Sequence, residues 1–144
     1  MTPFWCDGAS DWVAEQIEGC ERGFAACRAL AVMDRDGKIC AGVVFHDWNP
    51  ERGVIELSVA ATNRRWLTKP VANEAMAYAF SIARMAVATI SEKNKPARHL
   101  WRGLGGTEHL IPDMWAPGVA CSLTTLTQDQ WQASRLYEPK RGGI

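Results

Sequence analysis

Three cationic side chains near the middle of the chain are spaced for binding an anionic group. Arg64, Arg65 and Lys69 fall in the segment 63–70, NRRWLTKP, which follows a strand-like apolar run and precedes an amphipathic helical pattern. Free N–H groups and the dipole at a helix N-terminus both favour negative charge, so this elbow predicts a site for phosphate groups. Thr68 is predicted to cap the helix and to add its hydroxyl and N–H to that site. The alternative interpretation is a solvated basic turn followed by an ordinary cap.

A carboxylate within an apolar strand pattern is the best candidate for a general base. Residues 54–61 read VIELSVAA, and a charge in such a run costs free energy unless it faces solvent or a site. With the period of 2 of a strand, Glu56 shares a face with Ser58 and Ala60. A carboxylate that lines a cleft can accept a proton directly or through water. We therefore predict that Glu56 removes a proton; the alternative is an ordinary solvent-facing strand position.

Other reactive side chains are interpreted more simply. His46 and Asp47 lie at a predicted strand end, where a single histidine is usually incidental. Cys121 falls in a late strand without a visible histidine partner, so it is predicted to be a core residue rather than a nucleophile. The five cysteines form no Cys-x-x-Cys pair, which predicts reduced cysteines that act as small hydrophobic residues, and no metal site.

The elements that position these residues follow from hydrophobic periodicity. Strands are predicted over 27–33, 38–46, 54–61, 85–90, 107–115 and 119–126, and helices over 9–21, after the elbow, from Asn94, and as a short turn over 127–131. The first three strands form an antiparallel meander, and the strand–helix–strand unit around the elbow predicts a right-handed crossover with a parallel pair. The sequence therefore predicts an α/β fold whose mixed, mostly antiparallel sheet of about six strands is flanked by helices.

Composition excludes some partners. The chain carries 16 basic and 16 acidic residues, so no overall field attracts nucleic acid or an anionic membrane, and any anion site must be local. No apolar run approaches the length of a membrane span, and the N-terminus lacks the pattern of a signal peptide. We expect a cytoplasmic monomer or homodimer with one domain over 1–137 and a flexible tail over 138–144.

The elbow and the order of the elements together resemble the GNAT acetyltransferases over roughly residues 27–131. The pattern is similar to a short GNAT type often seen in phages and prophages. That type has an Arg-Arg-Trp-Leu-Thr elbow, here Arg64–Thr68, an Asn that opens the next helix, here Asn94, and a Leu-Gly-Phe ending, here residues 104–106.

The resemblance implies that acetyl-CoA is the co-substrate. Charged and polar side chains would hold its phosphates and arm, and backbone groups would hold its pantetheine where two parallel strands splay. The residues so assigned are Arg64, Arg65, Thr68, Lys69 and Asn94 through their side chains, and Val59, Ala60 and Ala61 through their backbone. Residues 59–61 can equally be ordinary strand residues, and Asn94 can equally be a helix cap.

Three features depart from the usual GNAT pattern. The elbow contains no glycine, so cationic charge would replace part of the close backbone contact with pyrophosphate. Trp101 takes the position of a Tyr that protonates the leaving thiolate in many GNATs; we predict that Trp101 packs in the core and supplies no proton. Gly106 replaces the usual Phe.

The predicted reaction is acetyl transfer from acetyl-CoA to a primary amine of a small molecule or a protein, by direct attack in a ternary complex. The protein would supply orientation, a base, and backbone N–H groups for the thioester oxyanion. One alternative is a non-catalytic binding protein on the GNAT scaffold, because a fold does not guarantee activity. Another is a DNA-base modifying enzyme of the phage Mom kind, although zero net charge and the lack of a basic stripe count against it.

Overall fold

The computed structural model describes residues 1–17, 19–20 and 22–139, which hold seven strands and four helices. The strands are β1 (Thr2–Trp5), β2 (Cys27–Met33), β3 (Ile39–Asn49), β4 (Val54–Ala61), β5 (Met85–Ser91), β6 (Thr107–Ala116) and β7 (Val119–Thr127). The helices are α1 (Ala9–Gln16), α2 (Lys69–Ile82), α3 (Lys95–Gly103) and α4 (Gln128–Gln132).

All seven strands form one sheet in the order β1-β2-β3-β4-β5-β7-β6. Every neighbouring pair is antiparallel except β4 and β5, which run parallel because α2 carries the chain back between them. The predicted fold, a mixed and mostly antiparallel sheet flanked by helices, is confirmed. The additional strand is β1, whose four residues include a proline and lie at the sheet edge, so they show no clear strand pattern in the sequence.

Two boundaries differ from the prediction by more than one residue. Helix α1 stops at Gln16 rather than continuing to residue 21, because Ile17 adopts an extended backbone (φ −104°, ψ 119°). Strand β3 continues past His46 to Asn49 through a register shift against β4, and Asp47 within it has a left-handed φ of 51°.

Two apolar clusters cover opposite faces of the sheet, because side chains alternate along each strand. The larger cluster joins strand residues such as Phe45 and Leu57 to α2, α3 and α4. The smaller cluster joins Val44 and its neighbours to Val13 of α1. A Cβ at Gly42 would lie 2.5 Å from Val13 Cγ2, so the glycine allows α1 to lie close on β3.

The C-terminal segment returns to α2. The N–H of Glu138 donates to Asn73 Oδ1 at 2.9 Å, and Asn73 Nδ2 donates to the carbonyl of Leu136 at 2.7 Å. Residues 140–144 of the predicted tail lie outside the described residues. Within residues 1–17, 19–20 and 22–139, no helix combines the length and apolar character that crossing a membrane requires.

Candidate active site

The parallel strands β4 and β5 diverge and leave a cleft in the middle of the sheet. They pair only at Val54–Met85, Ile55–Ala86 and Glu56–Val87, although β4 continues to Ala61 and β5 to Ser91. The carboxyl ends of parallel strands lie at the same edge of a sheet. The divergence therefore brings residues 59–61, the elbow after β4 and the start of α3 after β5 to one edge.

Backbone groups of β4 face this cleft. The N–H of Thr62 donates to the carbonyl of Cys40 at 2.8 Å, which continues the β3–β4 ladder. Backbone groups alternate in direction along a strand, so those of Leu57, Val59 and Ala61 point toward β5. The Glu56–Val87 pair is the last parallel pair, and it engages the N–H of Leu57. Among the described residues, the backbone groups farther along β4 meet no partner strand there, and such groups normally find another hydrogen-bonding partner. Of the three predicted pantetheine contacts, Val59 and Ala61 thus present backbone groups to the cleft, whereas Ala60 directs its groups toward β3.

The basic elbow presents two exposed guanidinium groups. Arg64 and Arg65 are exposed, and within the described part of the chain neither side chain has a hydrogen bond or an ion pair. Buried Trp66 anchors the elbow in the core. The third predicted cation differs, because Lys69 Nζ lies 3.6 Å from Glu138 Oε1. Both partners are largely exposed, and an exposed ion pair contributes little stability, so an incoming phosphate can compete with Glu138.

The start of α2 offers fewer free N–H groups than a helix end usually does. Thr68 caps the helix as predicted, since its Oγ1 accepts from the N–H of Val71 at 3.5 Å. The N–H of Thr68 itself donates to the carbonyl of Trp66 at 3.0 Å, so it is not available as predicted. Pro70 has no N–H. Side-chain charge, rather than a nest of amides, therefore dominates the elbow.

Asn94 caps α3, since its Oδ1 accepts from the N–H of Ala97 at 3.3 Å. The residue is exposed at the same sheet edge as the elbow. Its amide nitrogen has no acceptor among the described residues. Capping and a contact to a ligand arm are therefore compatible at this position.

Glu56 lies at the last paired position of β4, at the apex of the cleft. Its side chain is 23% exposed, and its Oε2 accepts a hydrogen bond from Thr89 Oγ1 at 3.0 Å across the cleft and lies 3.9 Å from His46 Nε2. The position fits a base that can contact both solvent and a ligand in the cleft. These contacts also show that the Glu56 carboxylate belongs to a polar group of neighbouring side chains and is not an isolated solvent-facing strand residue. That polar group consists of Glu56, Thr89, His46, Ser58 and Asp47.

His46 is the centre of that polar group, although the sequence indicated only an incidental residue. The imidazole is 10% exposed and packs 4.8 Å from the ring of Phe24. Its Nδ1 lies 2.7 Å from Asp47 Oδ2, and its Nε2 lies 2.8 Å from Ser58 Oγ. Sequence reasoning missed the roles of Ser58 and Thr89. The one signal available was that Ser58 shares the face of Glu56.

The same group could hold a metal ion in principle. Ligand atoms of His46, Asp47 and Glu56 lie within 4.8 Å of one another. Both ring nitrogens of His46 already have hydrogen-bonding partners, so a metal would have to displace Asp47 or Ser58. The geometry therefore favours a hydrogen-bonded relay over a metal centre.

Cys121 and Trp101 are both core residues, as predicted. Each is 2% exposed. Burial raises the pKa of the Cys121 thiol, and the nearby Glu56 carboxylate raises it further, so the thiol stays protonated and weakly nucleophilic. Trp101 lies in the cluster beneath the sheet with Leu104.

Close packing explains why Gly106 stands where the similar GNAT type has Phe. A Cβ at Gly106 would lie 2.7 Å from Thr124 Cγ2 and 3.0 Å from the carbonyl of Trp101. A side chain as large as Phe has no room there. The departure from the usual GNAT ending thus follows from the close approach of α3 to β7.

Solved structures share this fold, although sequence comparisons find nothing. No protein-family model matches the chain, and no curated protein matches it. The spermidine/spermine N-acetyltransferase SpeG from Vibrio cholerae, in a complex with manganese ions, is 14% identical with a TM-score of 0.70, covering 90% of this chain and 94% of that chain. A dodecameric structure of the Vibrio cholerae enzyme in an intermediate state is 15% identical with a TM-score of 0.69, covering 92% and 96%. At these identities the likeness establishes a GNAT-like fold.

Proposed function

We propose that this chain is an N-acyltransferase that moves the acetyl group of acetyl-CoA to a primary amine by direct attack in a ternary complex. The observation that carries the proposal is the divergence of β4 and β5 beside two exposed arginines. Backbone groups of β4 can hold an extended, amide-containing arm in the cleft, while Arg64 and Arg65 hold its phosphates. Asn94 lies at the same edge and contributes its amide nitrogen.

In this proposal, acetyl transfer takes place at the apex of the cleft. Val59 and Ala61 direct N–H groups to a thioester lying between the strands, and such N–H groups stabilise the oxyanion that develops during attack. Glu56 takes a proton from the acceptor ammonium, directly or through water, so that the free amine can attack. Trp101 is buried and its indole is a poor acid, so water protonates the leaving thiolate.

The fold neighbours support an amine acceptor. They are N-acetyltransferases that act on spermidine or spermine, so spermidine is the first acceptor to test. A panel of small amines, peptides and protein N-termini should accompany it, because the identity to these enzymes is too low to transfer a substrate.

The binding half of the proposal is tested by calorimetry and by unfolding with and without acetyl-CoA. A ligand present at 100 times its dissociation constant should stabilise the fold by about 2.7 kcal/mol. Incubation with the amine panel and detection of acetylated products by mass spectrometry tests transfer. Absence of acetyl-CoA binding to the wild-type chain would overturn the assignment.

A second candidate is a protein that binds acetyl-CoA without transferring its acetyl group. Two observations favour it: an elbow without glycine, and a buried Trp101 at the usual place of the acidic Tyr. Binding by calorimetry combined with no product from any amine would select this alternative.

A further inference from the structure

We propose that Ser58, His46 and Asp47 form a nucleophilic triad that takes the acyl group from an acyl thioester and passes it to water. The thioester is the one assigned to the cleft under the proposed function, so this inference rests on that function. It adds a second reaction, hydrolysis of acyl-CoA in the absence of an amine, and a covalent acyl-serine intermediate.

The distances match those of a serine nucleophile with its base and orienting group. His46 Nε2 lies 2.8 Å from Ser58 Oγ, and His46 Nδ1 lies 2.7 Å from Asp47 Oδ2. A carboxylate only accepts hydrogen bonds, so in the neutral ring the proton is on Nδ1 and points to Asp47. Nε2 is then the free acceptor, and Ser58 donates its hydroxyl proton to it. A nucleophile hydrogen-bonded to a base that a third group orients is the pattern of covalent acyl transfer.

An unusual backbone conformation makes the Asp47 contact. Adjacent residues of a regular strand point to opposite faces of the sheet, so Asp47 should not reach the ring of His46. The register between β3 and β4 shifts immediately after His46, and Asp47 takes a φ of 51° there. This bulge turns the carboxylate back onto Nδ1. Phe24 covers the other side of the ring and keeps the imidazole 10% exposed.

The cleft supplies the remaining parts of such a site. The N–H of Val59, the residue after the proposed nucleophile, points toward β5, where no strand residue pairs with it in the described part of the chain. The corresponding N–H forms half of the oxyanion hole at nucleophile elbows in hydrolases. Glu56 Oε2, at 3.9 Å from Nε2, stabilises the imidazolium that forms when His46 takes the proton.

The two steps balance without a further reactant besides water. As the Ser58 Oγ–carbon bond forms, His46 Nε2 takes the hydroxyl proton, the carbon–sulfur bond breaks, and the leaving thiolate takes that proton and departs as the thiol. His46 then takes a proton from water as the hydroxide attacks the acyl-serine ester. Ser58 leaves with the proton that His46 returns, and the acyl group is released as a carboxylic acid.

The test uses the full chain with acetyl-CoA and no amine. After an acid quench, peptide mapping should find one acetyl group on Ser58, and thiol release should continue slowly at a rate that Ser58→Ala reduces to the uncatalysed level. Asp47→Asn should slow thiol release by roughly 10²-fold or more, because the ring loses its orienting carboxylate. Ser81→Ala on α2 and Asp36→Asn in the β2–β3 turn are the matched controls, since both are exposed and neither is a hydrogen-bonding partner of His46 or Ser58. Both controls should behave as wild type.

A fluorophosphonate, which labels activated serines without CoA, separates this inference from the proposed function. Labelling of Ser58 that Ser58→Ala and Asp47→Asn abolish supports the triad. If acetyl-CoA binds by calorimetry but Ser58 carries neither acetyl nor phosphonate, the triad is wrong and the proposed function stands. If acetyl-CoA does not bind, the proposed function is wrong, and thioester hydrolysis fails with it; phosphonate labelling then decides whether Ser58 is a nucleophile at all.

Discussion

Single side chains at the apex of the cleft decide what chemistry the protein can do. Glu56 combines partial exposure with a hydrogen bond from Thr89 and proximity to His46. An isolated strand carboxylate would be solvated and would have no fixed direction. Here the donor across the cleft fixes one oxygen, while the other stays available for a proton.

Replacing Glu56 with Gln should reduce turnover with an accepted amine by roughly 10²-fold or more, because the variant cannot take a proton. Gln is nearly isosteric and still accepts from Thr89, so folding and acetyl-CoA affinity should survive. Steady-state kinetics and calorimetry measure the two effects. Glu51→Gln in the β3–β4 turn is the matched control. Unchanged turnover in the Glu56 variant would remove this carboxylate from the mechanism.

The arginine pair makes a separate prediction about binding. Changing Arg64 and Arg65 together to Ala should weaken acetyl-CoA binding, with a larger loss at low salt, because the contact is electrostatic and salt screens it. Calorimetry at two ionic strengths measures this loss. Arg52→Ala, an exposed arginine in the β3–β4 turn at the opposite edge of the sheet, should bind as wild type. A double variant with wild-type affinity would show that the elbow is a solvated turn.

At the scale of elements, helix α3 packs closely on the sheet because a large buried residue and two glycines lie at its C-terminal end. Trp101 fills the space beneath the sheet, while glycines at 105 and 106 allow the chain to pass close to Gln130 and Thr124. Gly105 also has a φ of 98°, a conformation that favours glycine. Close packing against Gln130 and Thr124 therefore explains why glycines follow the end of α3.

Trp101→Ala should cost about 3–5 kcal/mol of unfolding free energy, because the truncation leaves a cavity in the core. Trp101→Phe should be mild, and acetyl transfer should remain within a few-fold of wild type. Chemical denaturation and transfer kinetics measure these outcomes. A Phe variant that folds and binds acetyl-CoA but transfers nothing would show that the indole N–H takes part in the chemistry.

At the scale of the whole molecule, one ion pair joins α3 to the far edge of the sheet. Arg98 Nε and Nη2 each donate to the carboxylate of Glu108 on β6 at 2.8 Å, and Ser122 Oγ on β7 donates to the same carboxylate at 2.7 Å. Arg98 Nη1 also donates to the carbonyl of Glu92 at 2.8 Å. These bonds connect α3 with β6 and β7, the two strands that follow it in the chain.

Stability should depend on this carboxylate in acid. The hydrogen bonds from Arg98, and then that from Ser122, lower the pKa of Glu108 from 4.5 to about 2. A depressed pKa in the folded state stabilises the fold fully above the unfolded value, and this stabilisation is lost as pH falls through the folded value. Denaturant unfolding from pH 7 to pH 2 should therefore show Glu108→Gln less stable than wild type at pH 7.

The difference in unfolding free energy between wild type and Glu108→Gln should decrease below about pH 4.5, because the wild-type protein then loses the contribution of the ionised Glu108. Glu15→Gln, an exposed position on α1, should follow the wild-type curve throughout. A difference in unfolding free energy that stays constant down to pH 2 would show that the ion pair adds no pH-dependent stability.

Local periodicity alone determined most of the elements. Patterns that depend only on neighbours within a few residues can be predicted from the sequence. Examples are the alternation in 54–61, the helical repeat after the elbow, and the caps at Thr68 and Asn94. The basic elbow was predictable for the same reason. Strand β1 was not, because it gains its structure from pairing with β2 rather than from its own four residues.

Contacts between distant residues were decided only by the tertiary structure. The pairing of His46 with Glu56, the bulge that turns Asp47 back, and the end of parallel pairing at Glu56 all depend on strand register. A shift by two residues would keep every side chain on its own face of the sheet, so the periodicity of a single strand does not by itself fix which residues lie opposite one another. The sequence by itself therefore determined most of the elements and the position of the basic elbow. The tertiary structure decided that a histidine, a serine and two carboxylates meet beside the cleft.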